Sequence, residues 1–390
     1  MRTGLGTGVR RLVIGLVVAL SASYADPSLS STGAQENTRA EIAALPSWTL
    51  AAVPTAKIGV LDGDPVEVFG SIRAGALGPH GIYVLDGSFD EVRVFDEAGG
   101  HVMSLGREGD GPGEFRNPTE LMVGLDSTIT VWDRSLRRLT VFGHGGDVIR
   151  TASVQQNFLN PGLATVADDG SFVISDFRYP QSGLSERGVG EIVLTAYSGD
   201  GEFLDTLAAL TGPYVSGVDG LGIPFASPDL VGSARDGVWV LRVDSTLAVR
   251  LSIDGDTLGT VSWESPARDV TDADLDARGE FESGVIRDPD ARAARMRRLR
   301  QPGFAVDRHP TATRIKTDGV GRVWIVEREN LENISSPTWL VFGASGRVAG
   351  RWEEPLENLS LLDAADDRAL VLVSDDLGVQ SVELRQINRD

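Results

Sequence analysis

The chain has 390 residues, 41% of them hydrophobic, with 46 Gly and 18 Pro, a composition that suits a large, turn-rich β core. A formal net charge of -20 disfavours nucleic acid and anionic membrane surfaces as partners. The absence of cysteine excludes disulfides, thiolate catalysis, thiolate metal sites and a lipid-modified Cys after an export signal.

At the N-terminus Arg2, Arg10 and Arg11 precede the apolar run 12–20, and the small residues Ser23 and Ala25 suit cleavage before Asp26. Residues 1–25 therefore read as a signal peptide, with an apolar run too short for a comfortable membrane span. A periplasmic or extracellular location is expected, with no integral span in the mature chain. Residues 26–46 are rich in Ser, Thr, Ala and Glu, lack an apolar period, and read as a flexible tether.

From residue 47 onward short period-2 segments follow one another. Gly81-Ile-Tyr-Val-Leu-Asp86, Glu91-Val-Arg-Val-Phe-Asp96 and His101-Val-Met-Ser-Leu105 lead into a turn over residues 105–118, after which come Thr128-Ile-Thr-Val-Trp-Asp133 and Arg138-Leu-Thr-Val-Phe142. Gly109, Gly111 and Gly113 alternate in that turn, and Pro112 and Pro118 fix φ around Phe115, which predicts a tight crossover.

A repeat runs through the whole region. A proline, an apolar strand, a polar turn and a second apolar strand ending in an acid recur from Pro65, Pro118, Pro161, Pro228, Pro310 and Pro355. The spacing from proline to acid is 133 − 118 = 15, 176 − 161 = 15, 244 − 228 = 16 and 327 − 310 = 17 in the four regular units. Glycine turns such as Gly99-Gly100 and Gly145-Gly146 then join a third strand to a fourth, as in antiparallel hairpins. A four-stranded meander repeated six times predicts an all-β, six-bladed β-propeller of four-stranded antiparallel blades. The sixth unit lacks an outer strand, so an N-terminal strand from Trp48-Thr-Leu50 or 57–61 is expected to close the last blade and protect its edge.

Gly109-x-Gly111-Pro-Gly113-Glu-Phe115-x-x-Pro118, followed by residues 129–133 and 138–142, resembles a degenerate NHL repeat. The longer arrangement, with Asp318-Gly-Val-Gly-Arg-Val-Trp324 and Asp376-Leu-Gly-Val-Gln-Ser-Val382, resembles the exported bacterial six-bladed propellers without an assigned activity. The resemblance spans roughly Trp48 to the C-terminus. It implies a recognition platform and is nearly silent on chemistry.

In such a fold the loops between blades and the second-to-third strand loops share one face, and the other hairpins share the opposite face. The long loops 107–118, 177–190, 211–227 and 265–309 all belong to the first, which is therefore the expected binding face. Residues 265–309 form a helical insertion between blades 4 and 5. Thr271 with Asp274 predicts the cap of one helix and Asp288 with Pro289 the start of another, giving a lid or a solvated excursion.

Candidate binding residues on that face are Arg107, Glu108 and Asp110 at the turn tip, and His309 and Arg314 at the entrance of the fifth inner strand, where a guanidinium would suit an anionic ligand. Asp86, Asp133, Asp176, Asp244 and Glu327 recur at the ends of second strands, and their repetition favours turn hydrogen bonding over a cation ring. Asp272-x-Asp274-x-Asp276 opens like a calcium loop but has Ala277 and Ser283 where glycine and glutamate are needed. No cofactor is expected, and a channel-bound Ca2+ or other divalent cation has no motif behind it. Trp132, Trp239 and Trp324 occupy matching positions and read as packing between blades. No catalytic residue is assigned.

The composite expectation is residues 47–390 as one propeller, a monomer that binds a protein, peptide or glycan ligand on the insertion face. The alternative is a metal-dependent lactonase or lyase-like enzyme whose site lies in the central channel.

Overall fold

The computed structural model of the chain describes residues 36–179, 188–215, 223–286, 288–301, 305–327, 337–354 and 358–389. The expected signal peptide, residues 26–35 of the expected tether, Pro355 and the middle of the loop 177–190 lie outside the described residues.

The chain begins with β1 (Glu36–Asn37), α1 (Arg39–Ala44), β2 (Ser47–Leu50) and β3 (Ala56–Ile58). Three antiparallel meanders follow, each a separate four-stranded sheet: β4–β7 (72–105), β8–β11 (118–153) and β12–β15 (161–215). Strands β16–β19 (230–263) take β1 on their outer edge to make a five-stranded sheet. Next come α2 (Asp272–Val285) and α3 (Pro289–Leu299), then β20–β23 (312–353) and β24–β26 (359–388), which β2 joins into a nine-stranded sheet that includes β3. The fold is an all-β propeller of four-stranded antiparallel blades.

The sequence explains which strands sit inside. The second strands β5 (Gly81–Asp86), β9 (Ile129–Asp133), β17 (Gly237–Leu241) and β21 (Val323–Glu327) are buried at every position, because both faces of each meander pack on a neighbour. The fourth strands β7 (His101–Leu105) and β11 (Val148–Ser153) expose most of theirs at the rim. Trp132, Trp239 and Trp324 are buried between blades as expected. Phe115, at the end of the glycine turn, is fully buried with Tyr83, Leu85, Val131 and Phe142. Gly113 holds φ of 77°, a backbone region that other residues enter only with strain.

Residues 36–46 correct the tether reading. Asn37 is buried and spans two blades, donating to Ser262 O at 2.7 Å and Gly346 O at 2.9 Å while accepting from Val348 N at 2.8 Å. Thr38 and Glu41 form a reciprocal capping box on α1, and Ile42 is buried against the fourth and fifth blades. An apolar period was absent because the segment is held by backbone pairing and one amide side chain, which periodicity does not register. β2 then pairs with β23 (Val348–Glu353) and β26 (Gln380–Asn388), and β3 pairs antiparallel with β26. Both stretches offered by the sequence thus contribute strands.

The first strand of each meander lies innermost. β4 (Ile72–Gly78) packs on β8 (Pro118–Val123), β8 on β12 (Pro161–Val166), β12 on β16 (Leu230–Ala234), β16 on β20 (Ala312–Thr317), and β24 (Leu359–Ala365) on β4. Lys316 of β20 donates to the carbonyls of Leu361 and Leu362 on β24 at 2.8 and 3.0 Å, so the inner strands follow one another round a ring.

Candidate functional site

The glycine turn consumes its own charges. Arg107 donates to Glu114 Oε1 at 3.0 and 2.7 Å, and Asp110 takes two hydrogen bonds from Arg116 at 2.8 and 3.0 Å. Glu108 is 3.8 Å from Arg116, and Arg138 caps the Asp110 and Gly111 carbonyls at 2.7 and 2.8 Å. The Arg116 guanidinium holds the Asp110 carboxyl below its ordinary range, and Arg107 does the same to Glu114. These pairs set the shape of the loop, and being solvent-exposed they contribute little to stability.

His309 and Arg314 are likewise engaged. His309 is buried at the root of the helical insertion, with Nε2 3.2 Å from Asp274 Oδ2 and its ring 4.8 Å from that of Phe225. Asp274 also accepts from Thr271 N and Oγ1 at 2.8 Å each and from Arg268 at 2.6 Å. Burial alone would raise the Asp274 carboxyl; the Thr271, His309 and Arg268 contacts outweigh it and bring it below its ordinary value. The expected caps are present: Thr271 opens α2, and Asp288 accepts from Asp290 N and Ala291 N to open α3 behind Pro289. Arg314 donates to Glu354 at 2.8 Å and lies 4.8 Å over the Trp339 ring. None of these contacts links His309 or Arg314 to the turn tip.

The repeated acids are structural ties. Asp133 accepts from Arg116 N at 2.6 Å, Asn117 N at 3.0 Å and Leu136 N at 2.8 Å. Asp86 takes Gly70 N, Ser71 N and Ser88 N, and Asp176 takes Leu159 N and Asn160 N. Each carboxylate thereby fixes the chain where it enters its own blade. In the fourth blade the buried acid is Asp229, just before β16, bonded to Thr211 N of β15 at 2.8 Å and to Val243 N at 2.9 Å. Asp244, which the spacing selected, is exposed.

A large cavity lies elsewhere. A cavity of about 1000 Å³ occupies the centre of the ring and takes wall residues from all six inner strands, among them Ala76, Met122, Thr165, Ser233, Lys316 and Asp363. Its rim is built from first hairpins, including Leu125, Asp168, Arg235 and Gly319, so it opens on the face opposite the long insertions. None of the five residues singled out from sequence lines it.

Two wall groups are chemically unusual. Asp363 accepts from Leu77 N at 2.8 Å and from its neighbour Ala364 N at 2.7 Å. Burial pushes its carboxyl up to about 7, with Leu77, Ala364 and Lys316 pulling the other way and Asp318 reinforcing the rise. Burial lowers the Lys316 ammonium, opposed by Asp363. Sequence reasoning passed over both. A signal existed for Lys316: it is one of two lysines among 36 cations, and it sits on an inner strand. Asp363 follows Leu359-Ser-Leu-Leu362 with nothing in the sequence to mark it.

Residues 77–168 match the model of a family described as a 6-bladed beta-propeller, DUF5128. The chain resembles that family. Among solved structures, a member of the DUF4221 family from Bacteroides vulgatus superposes with a TM-score of 0.51 at 8% identity, covering 89% of this chain and 100% of that one. A protein from Bacteroides fragilis, provisionally named as exported, gives a TM-score of 0.48 at 11% identity over 87% of this chain and 95% of its own. Virginiamycin B lyase from Staphylococcus aureus gives 0.40 at 9% identity, covering 87% and 99%. At such identities the superpositions speak to the fold alone. No curated protein matches the chain.

Proposed function

We propose that this chain is an exported six-bladed β-propeller, with β3 closing the last blade, that binds a small polar ligand in its central channel from the hairpin face. The observation that carries this reading is the cavity of about 1000 Å³ walled by every inner strand, at the upper end of the range for small-molecule sites. Its wall mixes apolar side chains with many polar and charged ones, which suits a polar ligand held by several directional contacts. Export fits the basic, then apolar, then small-residue order of residues 1–25 and the description of the Bacteroides fragilis protein.

A second reading keeps the insertion face for a partner protein or peptide. It rests on the gathering there of four long loops and of α2 and α3, with His309 as the root of the helical pair and Arg107, Glu108, Asp110 and Arg314 around it. The lactonase-like or lyase-like alternative needs a convergent donor set. Among the described residues no three His, Asp or Glu side chains stand together as metal ligands.

Thermal unfolding against a panel of small polar metabolites, with wild type and Ser233→Trp side by side, separates these readings. Ser233 is an exposed wall residue, and an indole there would project into the cavity and obstruct it. A compound that stabilises wild type but leaves S233W unmoved supports channel binding; at 100 times its Kd it adds about 2.7 kcal/mol. Equal stabilisation of both proteins would sink it.

A further inference from the structure

The chemistry of the channel wall narrows the ligand class, given the channel reading above. Lys316 uses two of its three N–H groups on Leu361 O and Leu362 O, which leaves one donor. Asp363 receives one N–H on each oxygen, from Leu77 and Ala364, which leaves each oxygen a lone pair. Both side chains are half-buried and line the cavity. They come from the adjacent inner strands β20 and β24, whose backbones Lys316 itself ties together. Together Lys316 and Asp363 offer one anchored donor and one anchored acceptor.

A carboxylate or phosphate would gain from Lys316, with Arg150 and Arg235 also on the wall, but would meet Asp363 in a cavity whose lining also carries Asp126, Asp168, Asp169 and Asp318, within a chain of net charge -20. An amine would gain from Asp363 and meet Lys316. A hydroxyl satisfies both, since its oxygen accepts and its hydrogen donates, and two neighbouring hydroxyls satisfy both at once. Among the described residues the wall includes no Trp, Tyr or Phe, so recognition comes from hydroxyls and small apolar surfaces rather than from ring stacking.

We propose that Lys316 and Asp363 are the anchoring pair for a neutral polyhydroxylated ligand, a monosaccharide or open-chain polyol, bound in the hairpin-face half of the channel. The charged groups that bear on Asp363 are Lys316 of β20 and Asp318 in the turn that follows it; its contact with β4 is the Leu77 amide. A hydroxyl donor is bound by the ionised carboxylate, so affinity rises with pH. With the carboxyl titrating at about 7, the ionised fraction grows roughly tenfold between pH 6 and pH 8, and the association constant follows it.

The test is titration calorimetry of the full chain with glucose, galactose, xylose and mannitol at pH 6 and pH 8, with citrate and spermidine as charged controls. The proteins are wild type, Lys316→Met, Asp363→Asn and Ser233→Trp, each first checked for a wild-type circular dichroism spectrum and a cooperative melt. The proposal expects at least one neutral probe to bind wild type, tenfold more tightly at pH 8, and to lose at least tenfold in K316M and D363N. Binding that survives K316M and D363N but is lost in S233W would overturn the anchoring pair and leave the channel reading intact. Binding of citrate or spermidine in place of the neutral probes would overturn the ligand class. No binding of any neutral probe at 10 mM would overturn it as well. If both anchor variants fail to fold, the wild-type pH ratio decides, and a flat ratio sinks the role of Asp363.

Discussion

At Asp133 a single carboxylate satisfies three backbone amides from two chain segments, and the same device holds Asp86 and, through Asp229, the fourth blade. Asp133→Ala would leave three part-buried amides short of an acceptor, at about 1 kcal/mol or more for each, so a loss of about 3 kcal/mol in urea unfolding is expected. Asp133→Asn keeps an acceptor and should lose less. Asp133 and Asp176 were legible because the acid stands 15 residues after the proline in both units, and Asp86 because it closes a second strand of the same pattern in a looser first unit. The fourth blade escaped because its carboxylate, Asp229, precedes the first strand and ties Thr211 N to Val243 N, so it does not stand where the proline-to-acid spacing looks.

Asp363 shows the limit of sequence reading more sharply, since its character comes from burial and from Leu77, 286 positions away. Its folded value of about 7 lies above the ordinary carboxylate value of about 3.9. The folded protein thus holds this proton more tightly than the unfolded chain. The stability it brings is complete below about pH 4 and is lost as pH rises through about 7. Asn stays neutral at all pH values, so the melting temperature of D363N relative to wild type should rise between pH 5 and pH 8 in scanning calorimetry. A constant offset between the two proteins would contradict the assignment.

Among the larger elements, the N-terminal segment departs most from the sequence reading. Residues 36–58 run across three blades: Asn37 on the fourth and fifth, Trp48 against the fifth, and β3 on the sixth. The indole of Trp48 lies where Gly350 has no side chain, within 2.2 Å of the place a Cβ would take. Substitution of Gly350 by alanine therefore requires the indole to move. Asn37→Ala removes three hydrogen bonds at a buried position, and a loss of about 2–4 kcal/mol is expected in urea unfolding. A change within 0.5 kcal/mol would show that this segment does not hold the blades. The helical insertion was legible down to its caps because capping is local in sequence, whereas the docking of residues 36–46 depends on partners more than 200 residues away.

For the whole molecule, the meander repeat made the fold legible from its turns and buried second strands. The site was not. Insertions drew attention to one face, but their charged residues are spent on loop shape and on rooting α2, while the enclosed volume lies in the ring and opens on the other side. A cavity is made by which residues are small and where six strands stand apart, and no single stretch of sequence carries that information. Lys316 and Asp363 acquire their meaning only when β20 and β24 become neighbours.

The central claim is that ligand enters the channel from the hairpin face, and hydrogen–deuterium exchange with the best stabilising compound of the metabolite panel tests it most directly. The account predicts added protection in residues 121–126, 165–170, 231–235 and 315–319, with residues 105–118 and helices α2 and α3 unchanged. Protection confined to the turn 105–118 and the helical insertion would contradict it and assign binding to the opposite face.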